Sequence, residues 1–471
     1  MVLERGGWRL DASRVPVTLA DWRARTGDQR LGLMQQAVES LFDGAVVNPS
    51  EARPALHPAL RADDPGAYCA AGDADIIRSA RDRTLDFAAR LHAGCTPVRT
   101  LLHVGIGGSD LGPRLVADAL DTGDGAVAVE WLTTLDARRL QRLLSRLDPE
   151  QTGLVVASKS FTTVETLTQA RVIRDWLGDG ADDRIWAASA NRERALAFGV
   201  RDEHVLEFPA GVGGRFSLWS SVGISTAALV GPARWRGLLA GARDADGDLR
   251  RELAGAPALG LAAGVDALTR AAGFETLGVV AYDPRLRLLT DHLQQLVMES
   301  LGKSVDVDGL AVGAPTTPLV FGGVGTDLQH SLFQALHQGT TRHPVLLVGT
   351  AEPVPGLEDW RHEQLAHLLG QASALVNGRA SNEPHKALPG NNPVMLLLGR
   401  ELGPESLGEL LAAFEHAVYL LGVLWRINPF DQWGVEEGKR LANAFRQALC
   451  GDSDAPDPML AATIEWLKRH G

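Results

Sequence analysis

Three kinds of side chain in this sequence are spaced for acid–base chemistry on an anionic substrate: a carboxylate in an apolar stretch, a run of hydroxyl and ammonium donors, and several isolated cationic groups. The carboxylate is Glu299, within QLVMESLGK (295–303). Gln295 and Glu299 are four apart, so a helix puts amide and carboxylate on one face, beside an apolar flank of Leu293, Leu296 and Met298. This setting suits a functional base; a solvated helix-surface glutamate is the competing assignment. The donors are Ser158-Lys159-Ser160-Phe161-Thr162-Thr163, which follow the apolar run GLVVA and precede a helical pattern that holds Glu165 and Thr166. Hydroxyls, one lysine and the free N–H groups of a helix start are what a phosphate monoester requires. The simpler alternative is a capped Ser/Thr turn.

The remaining groups are more scattered. GVGGRFSLWSSVG places Arg215 after two glycines and near Trp219, where a fixed guanidinium would face developing negative charge; a surface arginine is the competing reading. GTDLQHSLFQALHQGT holds His330 and His337 seven apart, on one face of a helix, and either suits a core position as well as a chemical one. NPFDQWGVEEGKR holds Gln432 and Lys439 seven apart, with Glu436 and Glu437 close enough to make Lys439 a solvated charge. In VGIGGSDLG, Gly105, Gly107 and Gly108 permit close backbone approach, and Ser109 and Asp110 suit a helix start. That turn matches neither GxGxxG nor GxxxxGK[ST] at the required spacing, and neither HExxH nor GxSxG occurs. The inventory suits metal-free proton transfer on a phosphorylated sugar, with no cofactor.

These residues need a scaffold that brings distant loops together. From about residue 98, the apolar runs RTLLHVGIGG, AVAVEWL, GLVVASKS, DRIWAASA and HVLEF alternate with helical stretches; TLGVVAYD, TPLVFGG, HPVLLVG and PVMLLLG form a second series. Such alternation predicts α/β lobes with mostly parallel sheets, and ligands bind at the carboxyl ends of such strands. The Ala/Gly-rich stretch at about 235–270 is the expected join, and 408–427 is a strongly apolar helix expected to pack between lobes or subunits. Residues 1–90 show short helical patterns broken by prolines. A net charge of −12 without a basic run argues against nucleic acid or an anionic membrane surface as partner. The charged N-terminus lacks a signal-peptide core, and no uninterrupted apolar stretch approaches the roughly 20 residues of a membrane span. Cys69, Cys95 and Cys450 lie far apart, so a reduced, cytoplasmic protein without disulfides or a zinc site is expected.

Taken together, GIGGSDLGP (105–113), SKSFTTVETLT (158–168), GGRFSLWSSVG (213–223), MESLGK (298–303), GTDLQHSLFQALHQGT (325–340), PHKALPGNNP (384–393) and FDQWGVEEGK (430–439) resemble, in order, the successive motifs of the glucose-6-phosphate isomerase (phosphoglucose isomerase) family. NPSEARPALHPALR (48–61) resembles its N-terminal segment. The resemblance implies two sugar-isomerase-type (SIS) α/β/α sandwich lobes at 91–250 and 251–445. A helical segment, 1–90, would pack on the second lobe, with a helical tail at 446–471. It also implies a homodimer and an aldose–ketose isomerase that interconverts glucose 6-phosphate and fructose 6-phosphate in glycolysis and gluconeogenesis. By the same resemblance, Glu299 is the base that moves a proton between C2 and C1, and Arg215 stabilises the cis-enediol intermediate. Gly108 and Ser109 line the sugar site, while Ser158, Lys159, Ser160 and Thr163 hold the phosphate. His330, contributed by the partner subunit and oriented by Glu165, works with Lys439 to open the ring, and Gln295, Gln432 and Thr166 complete the substrate contacts.

The chain departs from the family pattern at Leu296, Val297 and Leu301, which replace small or polar residues and imply drier surroundings for Glu299. Asp327 and Leu328 lie beside His330, Ser160 stands where threonine is usual, and Asn392 stands where the family has an arginine. Two alternatives follow: a dual-specificity phosphoglucose/phosphomannose isomerase, or a non-catalytic sugar-phosphate-binding regulator on the same fold.

Overall fold

Thirteen strands form among the described residues, the last nine of them on the apolar runs of the sequence. In chain order they are β1 (Val2–Arg5), β2 (Trp8–Arg14), β3 (Val46–Asn48), β4 (Arg53–Pro54), β5 (Thr100–Val104), β6 (Ala128–Leu132), β7 (Thr152–Ala157), β8 (Ile185–Ser189), β9 (Val205–Glu207), β10 (Thr276–Ala281), β11 (Leu319–Val324), β12 (Val345–Thr350) and β13 (Val394–Gly399). They come from a computed structural model that describes residues 2–470. Within the unit that runs to Pro429 they form two large sheets and the small β3–β4 ribbon. The first sheet has order β6-β5-β7-β8-β9 and is parallel throughout. In the second, order β1-β2-β13-β12-β10-β11, strands β10 to β13 are parallel. Strands β7 and β12 are buried at every position, which is why both appear in the sequence as unbroken apolar runs rather than alternations.

All nine strands expected from the two apolar series are present. The N-terminus differs from its expected helical character: β1 and β2 form an antiparallel hairpin that joins β13. Trp8, Leu10 and Ala12 are buried in β2 while Arg9 is exposed, a period of two that marks a half-buried strand. Helices follow at Leu19–Phe42 and Ala71–His92.

The 235–270 stretch is helical rather than a linker, with helices Pro232–Arg251 and Pro257–Asp266. Both pack on Pro404–Trp425, the apolar helix. This helix is long and apolar enough to cross a membrane by composition, and 78% of its most apolar window is buried inside the protein. It is a core helix. It carries Glu415 and His416 into a buried ionic cluster: Arg61 donates to Asp246 Oδ1 at 2.6 Å and to Glu415 Oε2 at 2.6 Å, and His416 Nε2 lies 2.8 Å from Asp246 Oδ1.

From Phe430 the chain forms a second unit, with helices Glu436–Cys450 and Ala461–His470.

Candidate active site

The strongest convergence surrounds Arg215, whose side chain is 1% exposed. It sits in a short 3₁₀ turn, Gly214–Phe216. Its Nε donates to Ser300 Oγ at 2.6 Å, one Nη donates to the carbonyl of Pro429, and the other lies 3.4 Å from Glu299 Oε2. A guanidinium anchored by neutral acceptors on two sides is fixed in orientation, and its remaining edge faces the carboxylate.

Glu299 ends a π-helical turn, Gln294–Glu299, that continues the α-helix Leu289–Leu293. Such wide turns recur at functional sites because they re-aim side chains. Leu293 and Leu296 are buried as expected, whereas Met298 is half-buried. The drier surroundings expected for Glu299 are realised only on one side. Leu296 and Leu301, both 0% exposed, fill the core side of the helix, while the Glu299 side chain remains 23% exposed against Arg215. Lys303 Nζ donates to the carbonyls of Glu299 and Ser300, at 2.7 and 3.1 Å, and so satisfies acceptors at the helix end.

The Gly-rich turn after β5 backs directly onto this group. A Cβ at Gly108 would stand 1.9 Å from the Gly214 carbonyl oxygen and 2.7 Å from Arg215 N, so only glycine allows the two turns to touch. The amide nitrogen of Gln295 approaches Gly107 from the other side. Ser217 Oγ bonds the carbonyl oxygens of Gly214 and Gly108, at 2.6 and 3.3 Å, and ties the turns together.

The donor run after β7 forms a loop. Ser158 is buried and its Oγ lies 3.4 Å from Thr163 Oγ1; Ser160 and Thr162 hydroxyls are 2.6 Å apart. Phe161 takes a left-handed conformation (φ 52°) with its ring buried, which fixes the loop's shape. Thr163 precedes helix Val164–Leu177 without a side-chain capping bond, leaving first-turn N–H groups for an anion. Burial pushes the Lys159 ammonium down from the usual lysine range; Arg53 and Arg215 act in the same direction and Glu51 opposes them. Thr166 is buried and Glu165 exposed, both in the first turn of the helix.

The other expected residues are carried by other elements of the chain. His330 and His337 do not share one helix: Gly325–Leu328 and Phe333–Gln338 are separate, and His330 is exposed in the turn between them. The break from Gln329 to Leu332 interrupts what the seven-residue spacing presents as continuous. His337 Nε2 lies 2.7 Å from Gln371 Oε1 and its ring meets Phe333, a structural role. Within one chain, no hydrogen bond links His330 to Glu165 among the described residues. Lys439 and Gln432 belong to the second unit, where Lys439 is 66% exposed and pairs with Glu436 at 2.7 Å. Asn392 is buried and donates to the His343 carbonyl at 2.8 Å, holding its own loop. No group of three or more His, Cys, Asp or Glu suited to a metal occurs among the described residues.

Ser300, Lys303, Gly214 and Ser217 are the participants that sequence reasoning passed over. Ser300 and Lys303 lie within the quoted MESLGK motif, so their proximity to Glu299 was visible, but their partners are not adjacent in sequence.

Two mostly parallel sheets with the candidate groups on segments that follow their strands make this a sugar-isomerase-type α/β protein. The sequence model described as phosphoglucose isomerase matches residues 29–457, and the chain belongs to that family. It is 43% identical over 440 residues to a glucose-6-phosphate isomerase of Xylella fastidiosa (strain 9a5c), covering 92% of this chain and 86% of that protein. It is 45% identical over 443 residues to that of Stenotrophomonas maltophilia (strain K279a), with the same coverage. Among solved structures, a glucose-6-phosphate isomerase from Chlamydia trachomatis D/UW-3/Cx matches with TM-score 0.87 and 28% identity, over 100% of this chain and 93% of that one. A hypothetical protein from Thermus thermophilus matches with TM-score 0.72 and 25% identity, over 93% of this chain and 99% of that one.

Proposed function

We propose that this protein is an aldose–ketose isomerase that interconverts glucose 6-phosphate and fructose 6-phosphate. The observation that carries this reading is the pairing of a carboxylate with a buried guanidinium, Glu299 with Arg215 at 3.4 Å, beside a Gly-rich turn able to receive a sugar. A proton α to a carbonyl is weakly acidic, so its removal needs a base and a fixed cation for the enediolate oxygen. Glu299 takes the proton from one carbon and returns it to the neighbour, while Arg215, already anchored by Ser300 and Pro429, stabilises the cis-enediolate without reorganising. Gly108, Ser109, Gln295 and Thr166 contact the sugar phosphate; Ser158, Lys159, Ser160 and Thr163 hold its phosphate. The desolvated Lys159 ammonium gains most from an incoming dianion.

Ring opening falls to His330, supplied by a second copy of the chain and oriented by Glu165, together with Lys439; Gln432 adds a substrate contact. The exposure of His330 leaves it accessible to a second copy of the chain, in keeping with the reading of a homodimer. The expected compartment is the cytoplasm, which agrees with three free cysteines. The test is the conversion of fructose 6-phosphate to glucose 6-phosphate with and without EDTA, with mannose 6-phosphate run in parallel. Full turnover in chelator is expected; turnover abolished by chelator would refute the metal-free mechanism, and none on either sugar would refute the activity.

A further inference from the structure

The turn that faces the sugar hangs on a histidine outside the acid–base chemistry. His103 lies on β5, is 0% exposed, and packs against Trp131 of β6 with ring centroids 4.6 Å apart. Its Nε2 is 2.8 Å from the Ser109 carbonyl oxygen, and its Nδ1 is 2.9 Å from Ser225 Oγ in helix Ile224–Val230. A carbonyl only accepts, so Nε2 carries the proton; Nδ1 is then a lone pair, and the Ser225 hydroxyl donates to it. Burial pushes the imidazole down to about 4, against the Ser109 bond, so the ring is neutral at working pH. Space enforces the same arrangement. A Cβ at Gly105 would stand 2.7 Å from the Ser109 oxygen and 3.1 Å from His103 Nε2.

We propose that His103 is a positioning residue: as the Nε2–H tautomer locked by Ser225, it holds the Ser109 carbonyl and thereby fixes the Gly108–Ser109 backbone against the Arg215 turn in the pose that receives a sugar hydroxyl. The inference rests on the isomerase reading above. Ser225 and His103 form a relay that starts in a helix, passes through one ring on a strand and ends on a substrate-facing backbone, with the proton of each link assigned.

Steady-state kinetics on fructose 6-phosphate test it. His103→Phe keeps the ring's bulk but removes the donor, and KM is expected to rise about tenfold with kcat within about threefold, because the lost interaction orders a binding turn. His103→Gln, whose amide nitrogen reaches the Nε2 position, is expected to restore KM to within about threefold of wild type. A melting curve checks that His103→Phe is folded. Should it not fold, Ser225→Ala and the wild-type spectrum decide: Ser225→Ala raises KM about threefold. The ¹⁵N-histidine spectrum of the whole enzyme, with His103 assigned by its loss in His103→Gln, shows a neutral ring protonated at Nε2. An unchanged KM in folded His103→Phe or in Ser225→Ala, a His103→Gln as impaired as His103→Phe, or an Nδ1–H or charged ring would each overturn the proposal. A wild type without turnover would instead refute the isomerase reading, and the spectrum alone would then judge the tautomer.

Discussion

Arg215 and Glu299 take their character from their surroundings. Arg215 is buried and tethered, so its position is set before substrate arrives; Glu299 keeps partial access to solvent, in keeping with the proton-transfer role proposed for it. Both were legible in the sequence, since a glutamate amid apolar neighbours and an arginine after paired glycines are local signals. His103 was not, because its meaning lies in Ser109 and Ser225, the latter 122 positions away. At this scale pH offers a test. The folded imidazole rejects a proton that the unfolded chain accepts near its ordinary 6.5, so the unfolded state binds more protons and folding weakens as pH falls from about 6.5 towards about 4. Because glutamine does not titrate, the stability of wild type relative to His103→Gln should drop by about 2–3 kcal/mol between pH 7.5 and 4.5, read from urea unfolding at both. A difference that stays constant with pH would contradict the buried neutral ring.

Among the elements, the turns matter more than the strands. The nine α/β strands were readable because burial on both faces leaves continuous apolar runs. The β1–β2 hairpin was missed although Trp8, Leu10 and Ala12 alternate, since a short period-two signal competes with helical readings of the same residues. The His330 segment was misread for the opposite reason: seven-residue spacing matches a helix, and the break between Leu328 and Phe333 leaves no proline to mark it. Leu296 and Leu301, the departures nearest Glu299, turn out to pack the core side of their helix, so they change its anchoring rather than the substrate face. The contact between the Gly108 and Gly214 turns is the element-scale requirement. Gly108→Ala puts a methyl into the Gly214 carbonyl, and overpacking of about 1–3 kcal/mol is expected. Its kcat/KM should fall at least about tenfold at temperatures where the protein stays folded, because Arg215 moves with its turn. Wild-type kinetics in a folded Gly108→Ala would show that the turns need not touch.

For the whole molecule, the acidic net charge of −12 means that affinity for a sugar phosphate must come from a local cluster of donors, the part proposed for the Ser158–Thr163 loop with Lys159. The family and its fold were legible because several motifs occur in order. The homodimer is an expectation from that resemblance alone, since one chain's residues carry no direct record of a partner's. Exposed His330 makes the assembly testable. If it serves the partner's site, mixing inactive His330→Ala and Glu299→Gln proteins, then dissociating and reassociating them, should restore about one quarter of wild-type activity: half the dimers are mixed, and each has one intact site. No recovery after verified mixing would place His330 in its own chain's site.

The central claim, that Glu299 is the base of a sugar-phosphate isomerase, is tested most directly by the turnover of fructose 6-phosphate to glucose 6-phosphate in Glu299→Gln, an isosteric change that removes only the proton-accepting charge. With folding confirmed by an unchanged melting profile, kcat should fall by about 10²–10⁴-fold while the protein still binds the sugar phosphate. A Glu299→Gln enzyme that turns over at the wild-type rate would contradict the account.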